Sequence, residues 1–261
     1  MEKIYSGIIN YARGPETDLF TAACLDETEA QRYDRLRLPL VKASFLAGRA
    51  LIRGMLAQGL GIDRDSIAIE LAPGGKPYLR GRPDIHCSIS HSHHLAAAAW
   101  GNRMMGIDIE YQRPGRDIAG IAQNFYGTKE QKLIANAGIA ASRFFHICWC
   151  LKESWLKLCG DGMAGFATVP QFLPAADGSL TVILSPDLSN PGLLGVAGFR
   201  FQARELLSPS GDRYFWALAH STEFDAPAPE IVESQAFPMA GDQTIAVWES
   251  GFVANPGQTR D

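Results

Sequence analysis

Met105-Gly106-Ile107-Asp108-Ile109-Glu110 sets two carboxylates one residue apart inside an apolar, β-branched segment. A strand turns alternate side chains to opposite faces, so Asp108 and Glu110 point one way while Ile107 and Ile109 face a core. Two like charges held that close repel unless a cation sits between them. Paired carboxylate oxygens suit Mg²⁺ or a similarly hard ion. The plainer reading of the same pattern is a half-buried strand with a solvated acidic face.

Upstream, residues 85–89 read as a strand leading into Ser90-His91-Ser92-His93-His94. Residues 95–100, the pair Gly101-Asn102 and residues 104–109 then read as a hairpin. That hairpin carries the Ser/His cluster towards the end of the second strand where Asp108 and Glu110 lie. Three histidines in four residues invite zinc, but the chain offers no Cys or His pair at structural-zinc spacing. No G-x-S-x-G elbow supports Ser90 as a hydrolytic nucleophile.

Downstream, residues 142–159 form a helix by period, with Phe144, Cys148, Leu151, Trp155 and Leu158 on one face. Glu153 and Lys157 stand one turn apart on the other side, flanked by Trp149 and Leu156. Gly160-Asp161-Gly162 ends the helix. Nearer the N-terminus, residues 4–11 read as a strand and residues 26–60 as helix interrupted at Pro39. Arg32, Arg35, Arg37, Lys42, Arg49 and Arg53 make that region locally basic, and the helical period turns them outward. Residues 67–71 read as a short strand before the turn Pro73-Gly74-Gly75-Lys76-Pro77, whose spacing fails the phosphate-loop pattern. Lys76 is nonetheless held on a stiff turn from which an ammonium group can meet an anion. Residues 199–207 and 214–220 make a second hairpin.

The 261 residues are 46% hydrophobic and 20% charged, so the chain can bury a full core. A net charge of −4 argues against a dedicated nucleic-acid binder. No apolar run is long enough for a transmembrane helix, and the first residues lack the apolar core of a signal peptide. Five cysteines without C-x-x-C spacing fit reduced thiols in the cytoplasm. These patterns predict an α+β protein of two similar subdomains, residues 1–104 and 105–222, with a cleft between them. A Pro/Ala-rich extension, residues 223–261, is read as linker and tail with at most a short strand near 244–248.

Four fragments in order, Gly75-Lys76-Pro77, Ser88-Ile89-Ser90-His91-Ser92, Ile107-Asp108-Ile109-Glu110 and Trp149-Cys150-Leu151-Lys152-Glu153-Ser154-Trp155-Leu156-Lys157, resemble the Sfp-type 4′-phosphopantetheinyl transferases. Gly48-Arg49-Ala50-Leu51-Ile52-Arg53 resembles a helix segment of the same family. The resemblance covers about residues 3–222. It implies a pseudo-twofold fold with the active site in the cleft, the N-terminal half binding coenzyme A and the C-terminal half Mg²⁺. The implied reaction moves 4′-phosphopantetheine from coenzyme A to a serine of an apo acyl or peptidyl carrier protein, releasing adenosine 3′,5′-bisphosphate.

By the same resemblance, Asp108, Glu110 and Glu153 surround Mg²⁺. Glu153 doubles as general base, directly or through water, and Lys157 serves the leaving phosphate. Lys76, Ser90 and His91 contact the coenzyme's phosphates, and Arg32, Arg49 and Arg53 supply further basic contacts to the 3′-phosphate. Cys87 and Ser88 stand where the family often has an aromatic residue and Asn. The implied partners are coenzyme A and acidic helical carrier proteins, with no nucleic acid or membrane, for a cytoplasmic monomer. The competing expectation is a non-catalytic coenzyme A or nucleotide-binding protein that keeps the fold. A phosphohydrolase that releases its product to water is a third.

Overall fold

The computed structural model describes residues 3–11, 25–185, 190, 193–224, 226–233 and 243–256. Its strands are β1 (Lys3–Asn10), β2 (Ile69–Leu71), β3 (Pro77–Leu79), β4 (His86–Ser92), β5 (Leu95–Gly101), β6 (Met105–Tyr111), β7 (Gln171–Pro174), β8 (Leu180–Ile183), β9 (Gly198–Leu207), β10 (Arg213–Thr222), β11 (Glu230–Glu233), β12 (Gln243–Glu249) and β13 (Val253–Ala254). Its helices are α1 (Glu27–Arg35), α2 (Pro39–Leu60), α3 (Ile118–Phe125), α4 (Thr128–Asn136) and α5 (Ala141–Cys159). The expected mixed α+β class is what the chain forms. It divides into two units, one of Met1–Arg103 with Pro229–Ala240 and one of Met104–Ala228 with Gly241–Asp261.

In the first unit a six-stranded sheet runs β11-β1-β5-β4-β3-β2, and α2 packs across it. The break before α2 has the expected cause: Pro39 takes the first helical position, where its missing N–H is not needed. α1 opens with a capping box in which the Asp26 side chain accepts from Glu29 N at 2.9 Å and Glu29 reaches back to Asp26 N. Strand β5, Leu95-Ala96-Ala97-Ala98-Ala99-Trp100-Gly101, is buried throughout and pairs with β1 on one edge and β4 on the other. The core under α2 joins Ala47, Leu51 and Met55 to Ala96, Ala98 and Trp100.

The second unit has its own sheet in the order β12-β9-β10-β6, with β13 also on β9, and a separate β7-β8 hairpin. α5 lies across β6, β10 and β9 and supplies Cys148, Leu151, Trp155 and Leu158 to the core. It stops at Gly160, whose φ of 79° is left-handed, a conformation that glycine adopts without a Cβ clash. The hairpin expected around residues 208–212 is β9-β10.

Two expectations are corrected. The hairpin of residues 95–109 does not form, because both edges of β5 are already taken and β6 pairs with β10 instead. The real hairpin is β4-β5, turning at His93, whose φ is 53°. The tail is also not a separate extension. Ile231 of β11 pairs in parallel with Ile4, while β12 and β13 add to β9 in the other unit. Edge strands with open N–H and C=O groups take up such late segments wherever the alternation allows. Among the described residues no helix is long and apolar enough to cross a membrane.

Candidate active site

β6 is not the half-solvated strand that its alternation allowed. Asp108 is 3% exposed, because α5 covers the face that carries Gly106, Asp108 and Glu110. Their register partners on β10, Ala219, Ala217 and Phe215, belong to the core beneath α5. The carboxylates therefore share the core-side face. Ile107 and Ile109 lie on the other, which is also buried. Gly106 makes the approach possible: a Cβ there would overlap the carbonyl oxygen of Ser154 and the amide nitrogen of Leu158 on α5.

This contact delivers the helix residues to the strand. Lys157 Nζ donates to Asp108 Oδ1 at 2.6 Å, an ion pair that is part exposed on the lysine side. The sequence suggested Glu153 as the i,i+4 partner of Lys157; in the structure an ion pair of Lys157 crosses from α5 to Asp108 on β6. Glu153 is half-buried, and burial is the main cause of a carboxyl pKa raised above its usual value. The negative charge of Asp108 pushes the same way, and Lys157 and Arg116 oppose it. Asp108 and Glu153 thus sit in one field. The thiol of Cys150, wholly buried between them in sequence, is pushed up by burial and then by Asp108 and Glu110.

Glu110 is handled differently. Trp149 Nε1 donates to Glu110 Oε1 at 3.2 Å, and Arg116 Nη1 lies 3.7 Å from Glu110 Oε2. Arg116 also stacks over Phe145 and Trp149, 5.2 Å from each ring. Among the described residues no three His, Cys, Asp or Glu side chains gather closely enough to hold a metal ion. The expected three-carboxylate set is therefore not assembled as one cluster. Asp108 has its charge met by Lys157, and Glu110 by Trp149 and Arg116. By chemistry the donors still suit a hard cation: all are carboxylate oxygens, and the upward push on Glu153 from Asp108 is the stress that a cation relieves.

Helix α5 is anchored from below. Lys152 Nζ, 1% exposed, meets Glu130 Oε2 at 2.9 Å and donates to Pro170 O at 3.0 Å. Glu130 accepts in addition from Gly127 N at 2.8 Å and Phe172 N at 2.9 Å. This buried pair ties α5 to α4 and β7 one residue away from Glu153.

The basic residues expected to meet phosphates lie in the first unit and divide into two groups. Arg49 and Arg53 do not face solvent, which corrects the helical-period reading. They are buried, with Arg49 Nε 2.8 Å and Arg53 Nη2 2.6 Å from the carboxylate of Glu29. Arg53 Nε also donates to Ile67 O at 3.2 Å. One turn apart on α2, the two guanidiniums clasp α1 through Glu29, so their charge serves the fold. The Arg49–Glu29 contact is close but not aligned as a hydrogen bond.

Arg32 is exposed, its guanidinium 5.7 Å from the Phe45 ring. Lys76 closes the turn between β2 and β3, where Ala72 N donates to Lys76 O and Gly75 has φ 82°. Its charge helps to lower the pKa of His86, after burial, and opposes the burial that lifts the Cys87 thiol to about 12. Ser90 and His91 are neighbours on β4 and so point to opposite faces, Ser90 buried and His91 exposed. The sequence signalled most of these positions. It gave no sign of Gly106 as a close-approach site, nor of Arg116 as a partner of Glu110.

A family profile described as the 4′-phosphopantetheinyl transferase superfamily matches residues 104–196, the stretch that carries β6 and α5. The chain is similar to the 4′-phosphopantetheinyl transferase HetI of Nostoc sp., 31% identical over 204 residues, 73% of this chain and 86% of that protein. It is 35% identical to a 4′-phosphopantetheinyl transferase of Bacillus subtilis over 120 residues, 46% of this chain and 53% of that one. It is 31% identical to the 4′-phosphopantetheinyl transferase psf-1 of Bacillus pumilus over 160 residues, 60% of this chain and 67% of that one.

Proposed function

This chain belongs to the 4′-phosphopantetheinyl transferase superfamily, and from that premise we propose how its own residues carry the transfer. The reaction takes 4′-phosphopantetheine from coenzyme A to a serine hydroxyl of an apo carrier protein. The serine oxygen forms a bond to the β-phosphorus as the bond from that phosphorus to the bridging oxygen breaks. Adenosine 3′,5′-bisphosphate leaves. Little covalent chemistry falls to the protein, so its work is positioning and charge neutralisation.

Asp108, Glu110 and Glu153 are the residues that would hold Mg²⁺, which when bound neutralises pyrophosphate charge. Glu153 takes the proton of the carrier serine, directly or through water. Lys157, part exposed beside Asp108, offsets charge that grows on the leaving phosphate. In the first unit Arg32, Lys76, Ser90 and His91 bind the phosphates of coenzyme A. Arg49 and Arg53 hold α1 against α2, and so support Arg32 from behind. The enzyme works as a monomer in the reducing cytoplasm, which suits the free thiols of Cys87, Cys148, Cys150 and Cys159.

The observation that carries this reading is the meeting of Asp108 and Lys157 beside Glu153 where α5 crosses Gly106. Asp108→Asn and Glu153→Gln should each lower Mg²⁺-dependent turnover by about 10³-fold or more, several kcal/mol of transition-state stabilisation. Near-normal turnover in either variant would place the chemistry elsewhere.

A further inference from the structure

The corner between α1 and α2 has a surface that the fold does not require. Leu38, Leu40 and Val41 are 65%, 46% and 38% exposed, three large aliphatics within four residues. Leu38 is the N-cap of α2 and makes no side-chain capping bond. Ser, Thr, Asp or Asn at such a position stabilises a helix relative to an apolar residue. An exposed leucine therefore forgoes the cap and gains no burial in return. Such a ridge on a monomer marks a contact surface.

Its rim is cationic. Residues 32–42 hold Arg32, Arg35, Arg37 and Lys42 against Asp34, four charges against one, or +3 within a chain of net −4. Lys42 Nζ sits 4.5 Å from the ring of Tyr33, which packs against Phe45, so this charge is held in place. Arg35, Arg37 and Lys42 form no ion pair among the described residues, and Arg35 and Arg37 are exposed. An apolar ridge with a positive rim complements an acidic partner that offers an apolar face. A second copy docking by the same face about a twofold axis would set these cations against each other.

We propose that Leu38, Leu40 and Val41, rimmed by Arg35, Arg37 and Lys42, form the docking surface for the acidic carrier domain; this rests on the transfer reading above. The apolar ridge supplies the contact and the cations steer the approach, so association weakens with salt.

The test uses the full chain and a fluorescein-labelled apo acyl carrier protein, with anisotropy for binding and a separate turnover assay. Leu38→Ser/Leu40→Ser should weaken carrier binding by about tenfold or more. Arg35→Glu/Arg37→Glu should weaken it and flatten its salt dependence. Neither should change the KM for coenzyme A. Leu38→Ser alone installs a helix cap, so its thermal midpoint should stay or rise, which separates docking from misfolding. Carrier affinity unchanged within twofold in both double variants overturns the proposal. So does an equal rise in the KM for coenzyme A, or loss of binding only to phosphatidylglycerol vesicles, which would make the surface a membrane contact. A wild-type chain that binds the carrier through this surface but never modifies it would uphold docking and sink the transfer reading instead.

Discussion

Replacing Lys152 with Met removes one charge from the interior and keeps most of the side-chain volume. In the wild type the ammonium lies between Glu130 and Pro170 O, over Tyr126 at 5.2 Å and Phe172 at 6.0 Å. Glu130 is 0% exposed, and burial already raises its pKa against the pull of Lys152. Without the lysine, a carboxylate is left buried with only two backbone N–H donors. Breaking a buried pair from one side costs roughly 3–5 kcal/mol. Glu130→Gln in the same chain removes the orphaned charge, and its amide oxygen can still accept a backbone N–H. The double variant should therefore recover about 2 kcal/mol or more of the loss.

Urea unfolding of wild type, Lys152→Met and Lys152→Met/Glu130→Gln measures this. The sign with pH is also fixed. A carboxyl with a raised folded pKa favours the folded state at low pH and loses that contribution as pH rises through the folded pKa. The deficit of Lys152→Met should thus shrink from pH 7 to pH 5. A single-variant loss below about 1 kcal/mol, or a double variant no more stable than the single, would refute the account of this pair as the anchor of α5.

Two further outcomes follow from the same region. Gly106→Ala places a methyl group against the backbone of Ser154 and Leu158, so α5 must move. We expect a stability loss of about 1–3 kcal/mol with a larger fall in turnover, read from unfolding and initial-rate assays side by side; wild-type turnover would show that the close approach is dispensable. His146 is fully buried against Phe215, bonded through Nδ1 to Ser142 O at 2.7 Å, and burial lowers its pKa to about 4. A depressed histidine contributes stability above its unfolded pKa that is lost as pH falls towards the folded one. Between pH 7 and pH 5 the wild type should lose about 2 kcal/mol more than His146→Phe, and equal losses would contradict this.

Local periodicity made α5, the strands flanking residues 208–212 and the shared face of Asp108 and Glu110 legible in the sequence. These features depend only on near neighbours. What escaped depends on long-range pairing. Gly101-Asn102 looks like a turn, but whether a strand can pair beyond it depends on which edges β1 and β4 have already taken. The period of α2 marks Arg49 and Arg53 as one face without saying that Glu29 of α1 waits there. Pro/Ala-rich residues near 226–229 look like a linker, yet Ile231 and Trp248 lie in strands that finish two separate sheets. Alternation marks Asp108 and Glu110 as a carboxylate pair suited to a hard cation, and Glu153 joins them only through the family resemblance. That Glu110 would be met by Trp149 and Arg116 requires α5 and residue 116 to be in place.

Intact-mass spectrometry of an apo acyl carrier protein, incubated with this chain, coenzyme A and Mg²⁺, tests the central claim most directly. The carrier should gain the mass of one 4′-phosphopantetheine, and Glu153→Gln should abolish the gain on the same timescale. A folded chain that binds coenzyme A yet leaves acyl and peptidyl carriers at their apo mass would contradict it.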